Sequence, residues 1–237
     1  MNVAVIIAAG SGTRMNIDIP KQFISVFEKP ILLYTLESFQ NHPDIEAIEV
    51  VCLDGWQNVV WAYAKQYDIT KLKWIATGGS TVQESIRNGV MNLKGVCTDD
   101  DMIIIHDGVR PLVDDEVLTD VIATAHKYGN AISALSYNEQ YFVVDNEISS
   151  VRYIPRETLR RIATPHAYRF GKLVWAYTKA FDEKIGIYGS SYVNTLMVEL
   201  GERLYFALGS EKNIKITNQA DLEMFKGHLI AARDKKK

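Results

Sequence analysis

The sequence is poor in anything that would brace it other than a core. It has two cysteines, Cys52 and Cys97, too few for a disulfide framework or a four-cysteine metal site. Both read as free thiols in a reducing compartment. No uncharged apolar run approaches the roughly 18 residues of a membrane span. Basic charge is not in excess either: 26 Lys+Arg against 29 Asp+Glu give a net charge of −3, and no basic stripe invites nucleic acid. The opening Met1–Met15 carries no cation ahead of its apolar run, so it reads as the first strand of a fold and not as a signal peptide. Repeats, low-complexity stretches and linkers are absent. What is present, 47% hydrophobic and 23% charged over 237 residues, is the make-up of an ordinary globular protein. The expectation is one domain over 1–237, a cytoplasmic enzyme or binding protein.

Short apolar runs alternate with helical periodicity. Val3–Ala8, Ile48–Leu53, Lys73–Ala76, Met102–Ile105 and Ala131–Leu135 suit strands buried on both faces of a parallel sheet. Between them, Leu32, Leu36 and Phe39 follow Pro30, a first-turn residue, at helical spacing. Val59, Tyr63 and Tyr67 form a second stripe, Ser85–Leu93 a third helix, and Val117, Val121 and Ala125 a fourth. This alternation predicts a doubly wound, mostly parallel, Rossmann-like α/β sheet. Further on, Phe170–Glu183 and Ser190–Leu200 read as helices, Arg203–Leu208 as a strand, and a last helix follows Asn218.

Between Ser136 and Arg161 the alternation stops. Tyr141–Val144 and Ile148–Tyr153 flank the polar Asp145-Asn146 and read as a β-hairpin within an arm at about 137–156. Such a hairpin packs either on its parent domain or on a second subunit. Tyr141, Phe142, Val143, Val144, Ile148, Val151 and Tyr153 are too much apolar surface for a flap in solvent. The expectation is therefore a homodimer with its arms exchanged isologously.

Chemistry gathers at the carboxyl ends of the first strands. Ala8, Ala9, Gly10, Ser11, Gly12 and Thr13 form a turn whose backbone amides can cradle phosphate oxygens, followed by the cations Arg14 and Lys21. The third glycine of a dinucleotide fingerprint is missing, as is the Gly-Lys-Ser/Thr of a Walker loop. Two cations after a buried strand favour polyphosphate over two solvated surface charges. Asp107 ends the Met102–His106 run, either as a turn cap or as the single carboxylate a Mg²⁺ ion on phosphates needs. Arg110 can hold Asp107 or reach substrate. Asp99-Asp100-Asp101 reads as a solvated turn, His106 as packing under the site, and His42, His126 and His228 as surface residues. Lys215, by its own neighbours, reads as a lysine on an apolar strand.

Ala8-Ala9-Gly10-x-Gly12-x-Arg14-Met15 with Pro20-Lys21-Gln22, the Gly78-Gly79 turn, His106–Pro111, Ala163-Thr164-Pro165 and Asn213–Thr217 together resemble the sugar-phosphate cytidylyltransferases. The likeness is to the branch holding the methylerythritol-phosphate and ribitol-phosphate enzymes, and it spans nearly the whole chain. It implies CTP as donor, Mg²⁺ as cofactor and transfer of CMP to a polyol phosphate, and it makes Lys215 a phosphate ligand beside Arg14 and Lys21. It further implies that Ala8, Ala9, Gly79, Ser80 and Ser85 read the base. Arg110, Thr164 and Ser191 would serve the acceptor, and Arg156 would reach into the partner's site. The acceptor side departs from the pattern: Glu139 stands for a threonine, His166 for a glutamine, Ser191-Tyr192 for Thr-Asp, and Val82 for an arginine. The expected acceptor is thus a ribitol- or glycerol-phosphate for cell-wall or capsule polymers, with methylerythritol 4-phosphate as the alternative. An NAD-dependent oxidoreductase, with Asp54 on the ribose, and a dead binding homologue are the rival readings.

Overall fold

The computed structural model describes residues 1–10, 19–188 and 192–234. Seven strands form the central sheet: β1 (Asn2–Ala8), β4 (Ala47–Cys52), β5 (Leu72–Thr77), β6 (Met102–Asp107), β7 (Asn130–Ser136), β10 (Arg160–Arg169) and β11 (Phe206–Leu208). Their order is β5-β4-β1-β6-β10-β7-β11, and every pairing is parallel except those of β10. Two short hairpins stand apart, β2 (Ser25–Val26) with β3 (Lys29–Pro30), and β8 (Tyr141–Val143) with β9 (Arg152–Ile154).

Strand β1 shows why the sheet needs helices on both faces. Ala4, Ile6 and Ala8 point into one apolar cluster, and Val3 and Val5 into the other. The first cluster takes side chains of α1 (Ile31–Asn41), α2 (Gln57–Gln66) and α4 (Asp115–Tyr128). The second takes those of α3 (Val82–Asn92), α5 (Phe170–Glu183) and α6 (Val193–Glu199). A third cluster seats α7 (Gln219–Asp234) through Leu222 and Phe225 against Val26, Ile31, Val109 and Ile216.

The doubly wound sheet agrees with the sequence, and several local expectations are corrected. Pro30 precedes α1 as its cap residue instead of occupying the first turn. In α2 the buried face runs through Val60 and Ala64, with Val59, Tyr63 and Tyr67 on its shoulder. His42 is buried, its Nε2 bonded with Thr119 Oγ1 at 3.0 Å, because α1 ends against α4. Asp101 is no solvated turn residue: it pairs with the Met1 ammonium and accepts from the Thr98 amide. Residues 213–217 form no strand, although the Ile216 amide donates to Val109. Helix α6 begins at Val193; Ser190 and Ser191 lie outside the described residues. The ten-residue β10 was not expected at all. It lacks a continuous apolar run, since Arg160 and Arg161 open it and the register shifts between Ala163 and His166.

The hairpin is present but shorter than expected, with Phe142 opposite Tyr153. Val144, Val151 and Ile148 stand 72%, 89% and 94% exposed. Cys52 is buried and Cys97 half-buried, both free, and burial pushes both thiols up to about 11.

Candidate active site

Strands β1 and β6 are neighbours whose connections leave in opposite directions along the sheet, which opens a crevice at their carboxyl ends. At the end of β1, the buried Gln22 donates through Nε2 to the carbonyls of Ala8 (2.6 Å) and Gly10 (3.1 Å). This pins the chain entering the first loop. Ser11, Gly12, Thr13 and Arg14 lie outside the described residues.

The Gly78-Gly79 turn stands next to that loop. A Cβ on Gly78 would come within 2.3 Å of the Ala9 Cβ, so only glycine lets the two loops approach. The turn's amides are already used: Gly78 donates to Cys52 O, Gly79 to Ser85 Oγ, and Ser80 to Glu84 Oε2. Ser85 is buried and donates in turn to Thr81 O, while Thr81 and Glu84 form the capping box of α3. Ser85 therefore shapes the turn.

At the end of β6 a closed ring of contacts joins three distant segments. Asp107 donates its amide to Thr164 Oγ1 (3.1 Å), and Arg110 Nε donates to Asp107 Oδ2 (2.9 Å). Arg110 Nη1 donates to Asn213 O (2.8 Å), and Asn213 Nδ2 donates to Thr164 O (2.7 Å). Lys215 Nζ lies 3.1 Å from the same Asp107 Oδ2. Burial alone would push the Asp107 carboxyl up, but the Lys215 and Arg110 cations hold it well below the usual carboxylate range. Beneath the ring, burial drives His106 and His166 each down to about 4, so both imidazoles are neutral at pH 7. Lys21 lies within electrostatic reach of α7. Its charge acts on Asp221, whose carboxylate accepts from the amide and hydroxyl of Thr217.

The structure thus brings Asp107, Arg110, Thr164 and Lys215 together around a cavity of about 180 Å³, with Ile162, Ala163, His166, Tyr192 and Asn194 completing the walls. It does not bring Arg156 there. That side chain is 54% exposed, with Nη1 donating to Asn138 O and Nε 3.7 Å from Glu157. Ser191 lies outside the described residues. Sequence reasoning missed the tying roles of Gln22 and Asn213, although both sit inside recognised motifs. A buried amide next to a loop was the available signal. Among the described residues no group of three His, Cys, Asp or Glu could hold a metal ion.

Comparison with known proteins bears on this geometry directly. Residues 2–229 match the family described as IspD, 2-C-methyl-D-erythritol 4-phosphate cytidylyltransferase. A ribitol-5-phosphate cytidylyltransferase of Lacticaseibacillus paracasei is 51% identical over 97% of this chain and 98% of its own length. A 2-C-methyl-D-erythritol 4-phosphate cytidylyltransferase of Clostridium tetani is 34% identical over 93% of this chain and 87% of its own. Among solved structures, the 4-diphosphocytidyl-2C-methyl-D-erythritol synthase of Anaerococcus prevotii superposes with a TM-score of 0.81 at 23% identity, covering 96% of this chain and 95% of that one. The Francisella tularensis 2-C-methyl-D-erythritol 4-phosphate cytidylyltransferase gives 0.74 at 27%, covering 94% and 98%.

Proposed function

This chain belongs to the IspD cytidylyltransferase family, and from that premise we propose that it transfers CMP from CTP to ribitol 5-phosphate, releasing pyrophosphate. It is a nucleotidyltransferase in either case, which sets aside the oxidoreductase reading. The observation that carries the acceptor is the 51% identity, across nearly the whole of both chains, to an enzyme named for ribitol 5-phosphate. The second reading, methylerythritol 4-phosphate, rests on the family description and on relatives such as that of Clostridium tetani. Supply of CDP-ribitol to cell-wall or capsule polymers follows from the first reading, and a cytoplasmic location accords with it. No helix among the described residues is long and apolar enough to cross a membrane.

The reaction asks little covalent work of the protein. An acceptor phosphate oxygen attacks the α-phosphorus of CTP in line, the bond to the bridging oxygen breaks, and pyrophosphate leaves with that electron pair. A phosphomonoester with a second pKa of about 6 is already ionised at neutral pH, so no general base is required. The neutral His106 and His166 accord with that. What the chain supplies is positioning and positive charge. Arg14 and Lys21 grip the triphosphate, Lys215 spans donor and acceptor phosphates, and Arg110 and Thr164 hold Asp107 and the acceptor's phosphate end. Ala8, Ala9, Gly10, Ser11, Gly12 and Thr13 wrap the nucleotide. The carbonyls beside Gly79 and Ser80 accept from the cytosine amino group, where uracil offers an acceptor instead.

Enzymes of this family depend on a divalent metal. Asp107 fits Mg²⁺, which needs only one or two carboxylates when phosphates and water complete its shell. Arg110 and Lys215 both contact the Oδ2 of Asp107. When bound, Mg²⁺ neutralises phosphate charge. Arg156, with Ser191, serves the acceptor phosphate, Arg156 from the partner of a homodimer joined through the 137–156 arms. The deciding experiment is pyrophosphate release from CTP across phosphorylated acceptors. Ribitol 5-phosphate is expected to exceed methylerythritol 4-phosphate in kcat/KM by about 100-fold, and the reverse preference would overturn the choice.

A further inference from the structure

The cavity beside Asp107 has unlike linings. Asp107, Arg110 and Lys215 bring charge to it, while Ile162, Ala163 and the ring of Tyr192 bring apolar surface. Tyr192 is the odd member: a large aromatic residue left 42% exposed at the mouth of a polar cavity. Helix α6 does not require the ring, because the turn is closed by the Tyr192 amide donating to Thr195 Oγ1 (2.8 Å) and by Thr195 Oγ1 donating to Tyr192 O (2.9 Å). The side chain instead faces the cation. Lys215 Nζ stands 5.6 Å from the ring centroid and 3.1 Å from Asp107 Oδ2, held between an aromatic face and a carboxylate. Two residues on, Asn194 lines the same cavity with a buried Oδ1 that has no hydrogen-bond partner among the described residues.

We infer that Tyr192 is the specificity-determining residue for the acceptor, selecting a linear polyol phosphate over a carbon-branched one. The inference rests on the cytidylyltransferase reading and deepens it. With the acceptor's phosphate on Arg110 and Lys215, its carbon chain meets Ile162, Ala163 and the tyrosine ring, which line the same cavity. An unbranched chain presents a flat row of C–H groups that packs on a ring face, and its hydroxyls can meet Thr164 and Asn194. A methyl branch on that chain lifts it off the ring and leaves polar groups unpaired.

The test is steady-state turnover of Tyr192→Ala and Tyr192→Phe with CTP and two acceptors, ribitol 5-phosphate and 2-C-methyl-D-erythritol 4-phosphate. For Tyr192→Ala the ratio of the two acceptors' kcat/KM is expected to fall about ten-fold, chiefly through a higher KM for the linear acceptor. The KM for CTP should not move, and Tyr192→Phe should keep the wild-type ratio because it keeps the ring. An unchanged ratio in Tyr192→Ala overturns the proposal, even if both rates fall together, since that is what loss of Lys215 orientation alone would give. A wild type that prefers the branched acceptor would instead sink the ribitol reading, and Tyr192 would still stand or fall on whether the ratio shifts.

Discussion

The Asp107 corner and the hairpin arm are opposite kinds of surface. In the corner, polar groups at the end of β6, in β10 and in the 213–217 segment bond one another in a closed ring, with partners up to 103 residues apart in sequence. The arm has the reverse character. Its few backbone contacts join near neighbours, and Val144, Ile148, Val151 and Tyr153 face solvent with nothing of their own chain to cover them. A corner of this kind is preorganised before any ligand arrives, whereas the arm leaves apolar surface uncovered, as the proposed dimer requires. The difference locates what one chain completes and what it leaves for another.

Removing charge from the corner should have the largest effect. Lys215→Ala is expected to lower kcat for pyrophosphate release by about 10³-fold with the fold intact by circular dichroism. A loss under ten-fold would mean the corner is structural. Next comes the link between the two regions. Arg156→Ala should be nearly inactive, as should Lys21→Ala, yet dissociating and reassociating the two together should restore about half of one wild-type dimer's activity, because one site in each heterodimer carries neither lesion. No recovery despite heterodimers on native mass spectrometry would confine Arg156 to its own chain. The arm itself is probed by Ile148→Asp with Val151→Asp. Each apolar side chain fully buried in an interface contributes about 1.5–3 kcal/mol, so sedimentation should find monomers where the wild type is dimeric. A wild type that is itself monomeric would remove the comparison's second half.

The smallest effect is a control outside both regions. Glu49 is buried in β4, one carboxylate oxygen accepting from Asn92 Nδ2 at 2.7 Å. Burial raises its carboxyl to about 8, with the Asn92 hydrogen bond opposing. A folded-state value above the ordinary one means that Glu49's contribution to stability is fully present below about 4.5 and is lost as pH rises toward about 8. Glu49→Gln should flatten that decline by about 1–2 kcal/mol between pH 6 and 8, measured by urea unfolding, without touching turnover at pH 7. A wild-type curve already flat over this range would show that Glu49 is ionised when folded.

How legible all this was in the sequence depended on whether the signal was local. Val3–Ala8 and Met102–Ile105 announced buried parallel strands because both faces of each are apolar. Strand β10 escaped because its opening arginines and its register shift at Thr164-Pro165 break any period. Asp107 and Lys215, singled out through motifs, do line one cavity, since loops at strand ends place chemistry at fixed spacing, while Arg14 lies outside the described residues. The contacts of Gln22, Asn213 and Tyr192 were not legible, because each meets a partner that the chain brings near only after folding. His42 misled for the same reason: a histidine at a helix end looks exposed until another helix, here α4, lies over it.

The position of β10 has a mechanical consequence. It begins four residues after Arg156, next to the arm, and carries Thr164 and His166 in the wall of the cavity. From Arg160 to Ala163 it is hydrogen-bonded to β7 alone, and its register shifts before His166, so the stretch between the arm and the cavity is the least braced part of the strand, a joint and not a rod.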